Sequence, residues 1–472
     1  MKVLFATSEA YPFAASGGLA DVSGALPRAL RNRLVGCRVV MPLYGSVPQH
    51  LRESMKFITS ISVPVSWRQQ YCGIFEAKVG NVIYYLLDNE YYFKRGGLYG
   101  HFDDAERFAF FSRAVLEMVK VIDYEPDIIH CNDWQTALIP VYLRLFYQNE
   151  QKLSGKKCVF TIHNIQYQGK YGKEILGDVF GLPPEATNLL WYGDCLNLMK
   201  GAIECADAVT TVSPSYAREI LNPWYSHGLD KILRDRQWKL RGIVNGIDTD
   251  VYNPADDSDI YAAYSADDIS GKAVNKAELQ KRMGLPVDPS VPLIGMVSRM
   301  VSHKGFDLVK ARLDAILDFG VQMVVLGSGD SEYERFMQEM CNRRPDCFRL
   351  ALGFVPELAH KIYAGSDIFL MPSKSEPCGL SQMVALRYGA IPVVRRTGGL
   401  GDTITDSGDG VGNGFVFDSY NADDMAHAVY RAVEGYRDAD GWQTLTKRAM
   451  NSDNSWRASA NEYIRMYKDL LK

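Results

Sequence analysis

Two short segments combine glycine with polar ends in a way that suits an anionic ligand: Ser16-Gly17-Gly18-Leu19-Ala20-Asp21 and Thr397-Gly398-Gly399-Leu400-Gly401-Asp402. A Gly-Gly pair lets backbone approach a ligand with no Cβ in the way. A helix opening at that point turns N–H groups and a partial positive charge toward an anion. Two such loops facing each other across a cleft suit a sugar nucleotide, holding a diphosphate and the sugar attached to it. Taken singly, either loop reads equally well as a tight turn.

Four further segments carry reactive types. In SRMVSHKGFDL (298–308), Arg299 and Lys304 stand five apart before Gly305, and two fixed cations there would stabilise charge growing on a departing phosphate. In PSKSEPCGLSQMVALRYG (372–389), Glu376 precedes a glycine turn into a helix. It could accept sugar hydroxyls and oppose positive charge at an anomeric carbon, or simply complement the helix dipole. Asp133 and Trp134 end the apolar run of HCNDWQTALIP (130–140), and His163 with Asn164 end that of TIHNIQYQG (161–169). Asp133, His163 and Asn164 therefore emerge at one edge of one expected sheet, which is what a sugar pocket needs.

The elements that must position these residues read as alternating strands and helices. Short uninterrupted apolar runs at 3–8, 37–42, 82–88, 127–133, 158–164 and 208–213 are the signature of parallel strands buried on both faces. Helical periodicity fills the intervals 19–32 and 105–122. The pattern restarts at 293–298, 321–327, 348–353, 367–373 and 391–396, with helices at 306–317 and 378–389. This is the grammar of an α/β fold with two Rossmann-like doubly wound domains. The expected boundaries are 1–243, 244–453 and a final amphipathic helix at 454–472, whose Trp456, Tyr463, Met466 and Leu470 face must be covered.

Bulk composition narrows the function classes. With 472 residues, more than one domain is expected. A net charge of -4 offers no footprint for nucleic acid or an anionic membrane. No apolar stretch is long enough to span a bilayer. Nine irregularly spaced cysteines without a CxxC pair read as reduced thiols of a cytoplasmic protein, not as disulfides or a zinc site.

The motifs SGGLADVSGALP, HCNDWQTAL, HNIQYQG, TVSPSYAREI, GIVNGID, SRMVSHKG, SEPCGLSQMVALRYG and PVVRRTGGLGDT, in this order, resemble those of the starch-synthase-type retaining glucosyltransferases, the family of bacterial glycogen synthases and plant starch synthases. They run from residue 16 to about 405, nearly the whole chain. The resemblance implies a GT-B fold, a deep cleft between the two domains, and a C-terminal helix crossing back to the first. It implies transfer of glucose from ADP-glucose to the non-reducing end of an α-1,4-glucan such as glycogen, without metal or cofactor. By the same resemblance Glu376, Arg299, Lys304, His163 and Asp133 are catalytic. Ser16, Gly17, Gly18, Asp21, Asn164, Asn245, Cys378, Gly379, Leu380, Thr397, Gly398, Gly399 and Leu400 then bind donor, and Tyr99, Trp134 and Gln168 touch acceptor. The loop 94–100 around Tyr99 reads equally as a solvent-facing lid.

One position departs from the family pattern. Where the first loop usually reads Lys-Thr-Gly-Gly-Leu, this chain has Ala15-Ser16-Gly17-Gly18-Leu19. A missing charge-assisted contact is worth roughly 1.5–3 kcal/mol, so nucleotide preference is open at this point. Three rivals remain beside the main reading: a UDP-glucose enzyme of the same fold, an inactive glucan-binding relative, and a glucan phosphorylase.

Overall fold

Where apolar residues run without interruption, the chain forms strands that lie wholly inside. The computed structural model describes residues 1–353 and 355–472. The chain divides into one unit made of Met1–Ile243 with Trp456–Lys472, and a second made of Val244–Ser455.

In the first unit, strands β1 (Lys2–Ala6), β2 (Gly36–Pro42), β3 (Lys56–Val65), β4 (Arg68–Val79), β5 (Val82–Asp88), β6 (Ile128–Asn132) and β7 (Lys157–Ile162) belong to one sheet. A small separate sheet joins β8 (Lys170–Tyr171), β9 (Trp191–Tyr192) and β10 (Cys195–Asn197), and β11 (Ala208–Thr211) with β12 (Leu240–Gly242) completes the large one. The large sheet has the order β12-β11-β7-β6-β1-β2-β5-β4-β3 and is parallel from β12 to β5. The chain order reverses between β1 and β6. A crevice at the carboxyl ends of strands opens at such a switch point, and ligands of doubly wound sheets bind there.

The second unit repeats the plan. Strands β13 (Leu293–Val297), β14 (Gln322–Gly327), β15 (Phe348–Leu352), β16 (Ile368–Met371), β17 (Ile391–Arg395) and β18 (Phe415–Phe417) form a parallel sheet ordered β15-β14-β13-β16-β17-β18. Its switch point lies between β13 and β16. The α/β doubly wound expectation therefore holds in both halves.

The antiparallel hairpin β3–β4 was not expected. Its outer strand is largely exposed and alternates in burial, so it lacks the continuous apolar run of a central strand. Its turn also hides: Ser66 takes φ +55°, a role usually signalled by Asn or Gly.

The helix Trp456–Leu470 belongs to the first unit and buries Trp456, Ala460, Tyr463, Met466 and Tyr467. Leu470 stays half exposed and Tyr467 takes the inner position instead. The Tyr467 hydroxyl lies 2.6 Å from Nδ1 of His130 on β6, whose Nε2 lies 2.6 Å from the Thr161 hydroxyl. Burial pushes the His130 imidazole down to about 3, so it is neutral and the helix is pinned by uncharged bonds. No described helix is long and apolar enough to cross a membrane.

Candidate active site

The second unit brings together the residues after β13 and β16, the two strands flanking its switch point. The chain leaving β13 passes Arg299 and makes a single 3-10 turn, Ser302–Lys304, ended by Gly305 at φ +83°. A side chain at Gly305 would strike the Pro372 carbonyl at 2.2 Å, so this glycine lets the cationic loop lie directly on the end of β16. The Lys374 N–H donates to the His303 carbonyl at 3.0 Å and fastens the two segments. Lys304 Nζ then donates to Glu376 Oε2 at 2.6 Å, and the Ser373 hydroxyl donates to the same oxygen at 3.1 Å. Glu376 is 6% exposed. Arg299 is exposed and its guanidinium meets no acidic side chain among the described residues. One cation is thus committed to the carboxylate while the other remains open to a ligand.

The glycines of Thr397–Leu400 serve this carboxylate from behind. Thr397, Gly398, Gly399 and Leu400 are buried. A Cβ on Gly398, at φ +44°, would lie 1.9 Å from the Glu376 carbonyl oxygen, and one on Gly399 would lie 2.1 Å from that of Cys378. The Gly399 N–H donates to the carbonyls of Glu376 and Pro377, both at 3.1 Å. Close backbone approach is real here, but what approaches is the Glu376–Cys378 segment of the chain itself. Cys378 is buried and its thiol pushed up to about 12; the Asn245 N–H points at it. The side-chain oxygen of Asn245 is buried with no partner among the described residues. Gly379, at φ +72°, and Leu380 are half-buried at the turn into helix Ser381–Arg387.

In the first unit the candidates gather at the ends of β1, β6 and β7. Asp133 follows β6 with φ +55° and ψ −179°, a region costly for any residue but glycine. Its Oδ1 accepts the His163 N–H at 2.7 Å and the Asn164 N–H at 3.4 Å, and its own N–H donates to the Thr161 carbonyl. The strain is thus held in place by the loop after β7, and the carboxylate orients that loop. Burial raises the Asp133 carboxyl to about 7, against the pull of those N–H groups. Burial lowers the His163 imidazole to about 3; its Nε2 lies 2.9 Å from the Asn132 side-chain oxygen, and Asn132 donates its own nitrogen to the Ala6 carbonyl. His163 is therefore a neutral ring with Nε2–H donating.

Three tentative acceptor residues fare differently. Trp134 is half-buried, edge-on to Phe108 at 5.2 Å. Tyr99 is turned inward, its hydroxyl 2.7 Å from that of Ser8. Its loop is clasped by the two-bond Arg95–Asp103 pair and by the fully buried Arg107, which donates to the Leu98 carbonyl. Gln168 is buried, and its amide nitrogen donates to the carbonyls of Ile165 and His227 while its oxygen accepts from Asn197. Its polar capacity braces the 163–169 loop.

The first glycine loop is unlike the second. Ser16, Gly17 and Gly18 are exposed, Gly17 has an ordinary extended φ of −167°, and a Cβ on Gly17 or Gly18 would meet nothing within 4 Å. Sequence reasoning passed over a partner of this loop. Glu9, 3% exposed, accepts the Ser16 N–H at 2.5 Å. The available signal was a carboxylate just past β1, seven residues before the loop. Asp21 lies in the first turn of helix Gly18–Arg31, with its carboxyl raised by the protein around it.

Among the described residues, one other group of acidic and imidazole side chains, Asp257, Asp259 and His360, falls within 4.8 Å. Asp257 already accepts from Tyr388 at 2.5 Å and faces His360 Nδ1 at 2.7 Å, so its lone pairs are engaged.

Residues 2–235 match the family described as the starch synthase catalytic domain, and residues 278–448 match glycosyl transferases group 1. The chain is 48% identical to a glycogen synthase of Anoxybacillus flavithermus, covering 100% of this chain and 98% of the other. It is 49% identical to one of Geobacillus thermodenitrificans, with the same coverage. Among solved structures it is similar to the catalytic domain of starch synthase IV from Arabidopsis thaliana bound to ADP and acarbose, with TM-score 0.91, 35% identity and coverage of 100% and 99%. A sucrose-phosphate synthase of Thermosynechococcus elongatus, at TM-score 0.62 and 18% identity over 100% and 99%, shares the fold.

Proposed function

Because the chain belongs to the glycogen synthase family of GT-B glycosyltransferases, we propose that it uses ADP-glucose as donor and the non-reducing end of an α-1,4-glucan as acceptor, with retention at the anomeric carbon. The observation that carries this reading is the second unit's trio: Glu376 held by Lys304 at 2.6 Å, beside an uncommitted Arg299. Arg299 takes the donor diphosphate with Lys304, and charge arriving on the leaving oxygen is met by preorganised cations. Glu376 faces the positive charge that grows on the glucosyl carbon. The bond from that carbon to the β-phosphate oxygen breaks with its electron pair leaving on ADP. The acceptor 4-hydroxyl forms the new bond on the same face and gives its proton to the departing phosphate.

The remaining assignments follow the same division. Asn245, Cys378, Gly379 and Leu380 line the donor side of the second unit, with Thr397–Leu400 as the support that fixes Glu376. Neutral His163 and Asn164, set by Asp133, take sugar hydroxyls, as do Ser16–Gly18 and Asp21. Trp134 offers an apolar edge to acceptor glucose, while Tyr99 and Gln168 shape the loops around it. The reading is of a cytoplasmic enzyme, in keeping with nine unpaired cysteines. ADP bound to the starch synthase IV neighbour supports an adenine nucleotide.

The test is turnover of ADP-glucose and UDP-glucose side by side with glycogen. ADP-glucose is expected to be strongly preferred. Turnover of UDP-glucose alone would overturn the donor, and Arg299→Ala with wild-type activity would overturn the role of that cation.

A further inference from the structure

We propose that Tyr420 is a positioning residue for the cation–carboxylate pair of the second unit: it stands on the chain after β18 and fixes the Lys304 turn to the Glu376 segment. Its hydroxyl lies 2.5 Å from Asp307 Oδ1 and 3.2 Å from the Ser302 carbonyl oxygen, so one proton is shared between acceptors on either side of Gly305. Ser302 opens the single 3-10 turn that ends with Lys304, and Asp307 lies in the first turn of helix Phe306–Leu317. Burial, with the Asp307 carboxylate beside it, pushes the hydroxyl well above its ordinary value, so it stays a donor. Gly305, at φ +83°, joins the turn to the helix. Glycine is the most permissive joint a backbone can have, and the Tyr420 hydroxyl spans this one.

The ring of the same residue reaches the other loops. Lys374 Nζ lies 5.6 Å and Arg395 Cζ 5.5 Å from the ring centroid, within cation–π range. Arg395 ends β17 and donates from Nη1 to the Lys374 carbonyl at 2.6 Å, while the Lys374 N–H donates to the His303 carbonyl at 3.0 Å. Lys374 stands two residues before Glu376, and Ser302 two before Lys304. The sheet runs β13-β16-β17-β18 at this edge, so one side chain gathers the carboxyl ends of four neighbouring strands. The Lys304–Glu376 contact at 2.6 Å is thereby framed by a third element. A preorganised cation meets developing charge without having to move first, whereas a turn left to its glycine joint would have to settle in each cycle. For its meaning in turnover this inference rests on the donor reading above; its meaning for stability does not.

Two variants of the full-length chain separate the contributions: Tyr420→Phe keeps the ring and removes the hydroxyl, and Tyr420→Leu removes both. In turnover of ADP-glucose on glycogen, kcat is expected to fall about tenfold in the first and about a hundredfold in the second, the scale of a group displaced by about 1 Å. Donor KM should stay within about twofold of wild type, because the interaction affected is made in the transition state. Melting curves supply a readout that needs no reaction. Tyr420→Phe should lower the melting temperature of the wild type clearly more than that of Lys304→Met, where the tie it supports is already gone. Equal shifts in the two backgrounds would overturn the proposal. So would a kcat like that of wild type, even with a lower melting temperature, since the role would then be one of stability alone. Tyr420→Phe decides by itself if Tyr420→Leu fails to fold. Absent turnover of ADP-glucose by the wild type would sink the donor reading, and the comparison with Lys304→Met would still decide this one.

Discussion

Lys304 Nζ donates to Glu376 Oε2 across 2.6 Å, tying the loop that leaves β13 to the loop that leaves β16. These strands flank the topological switch point, so the pair sits where the sheet itself opens a crevice. Both side chains are largely enclosed. Removing one partner of such a pair leaves the other charge uncompensated, which costs about 3–5 kcal/mol. Lys304→Met is expected to lower thermal stability clearly, and kcat by about 10²–10³, the scale of one lost transition-state contact. A melting curve and a steady-state assay read both effects; wild-type stability in that variant would show that the pair is not the buried tie described.

The two glycine loops make opposite predictions. Gly398→Ala forces a Cβ onto the Glu376 carbonyl at a positive φ, so it should displace the Glu376 segment, lower the melting temperature and abolish most activity. Gly17→Ala adds a methyl to open space on an extended backbone. Its stability should stay within about 0.5 kcal/mol of wild type, with the change confined to substrate KM. Equal destabilisation of the two variants would contradict the contrast.

Asp133 gives stability a slope with pH. Its carboxyl is raised to about 7 in the native state, against about 3.9 in an unfolded chain. Between these values the native form holds a proton that the unfolded form has lost, so unfolding free energy falls as pH rises through that window. Asp133→Asn removes this contribution. The wild type should lose more melting temperature than Asp133→Asn between pH 5 and pH 8; parallel curves would be the contrary result.

His130 and His163 act on the acid side. Both imidazoles are held near 3 by burial, below the unfolded value of about 6.5. Their contribution is complete above about 6.5 and is lost as pH falls toward 3, because the unfolded chain then binds protons that the native one refuses. Tyr467→Phe removes the hydroxyl facing His130 Nδ1. It should cost about 1–3 kcal/mol in denaturant titrations, the price of an orphaned buried polar group. No loss would mean the C-terminal helix is held by apolar packing alone.

Much of the architecture was legible in the residue order. Runs such as Val3–Ala6 and Gln322–Gly327 are buried throughout, and an uninterrupted apolar strand can only lie inside a parallel sheet covered on both faces. That local property, with helical periodicity between the runs, determined the doubly wound plan and put Arg299, Lys304, Glu376, Asp133 and His163 at strand ends. The hairpin β3–β4 escaped because an exposed edge strand and a Ser66–Trp67 turn carry no such signal.

What the sequence could not decide is how each backbone donor is spent. SGGLAD and TGGLGD look like equivalent anion cradles, because glycine content and helix onset are local features. Only tertiary packing lays Gly398 and Gly399 against the carbonyls of Glu376, Pro377 and Cys378, and only it folds Glu9 back onto Ser16. An N–H group binds whatever acceptor the finished fold brings within about 3 Å. The same short motif therefore became a buried support in one unit and an exposed loop, tied at Ser16 to the buried Glu9, in the other.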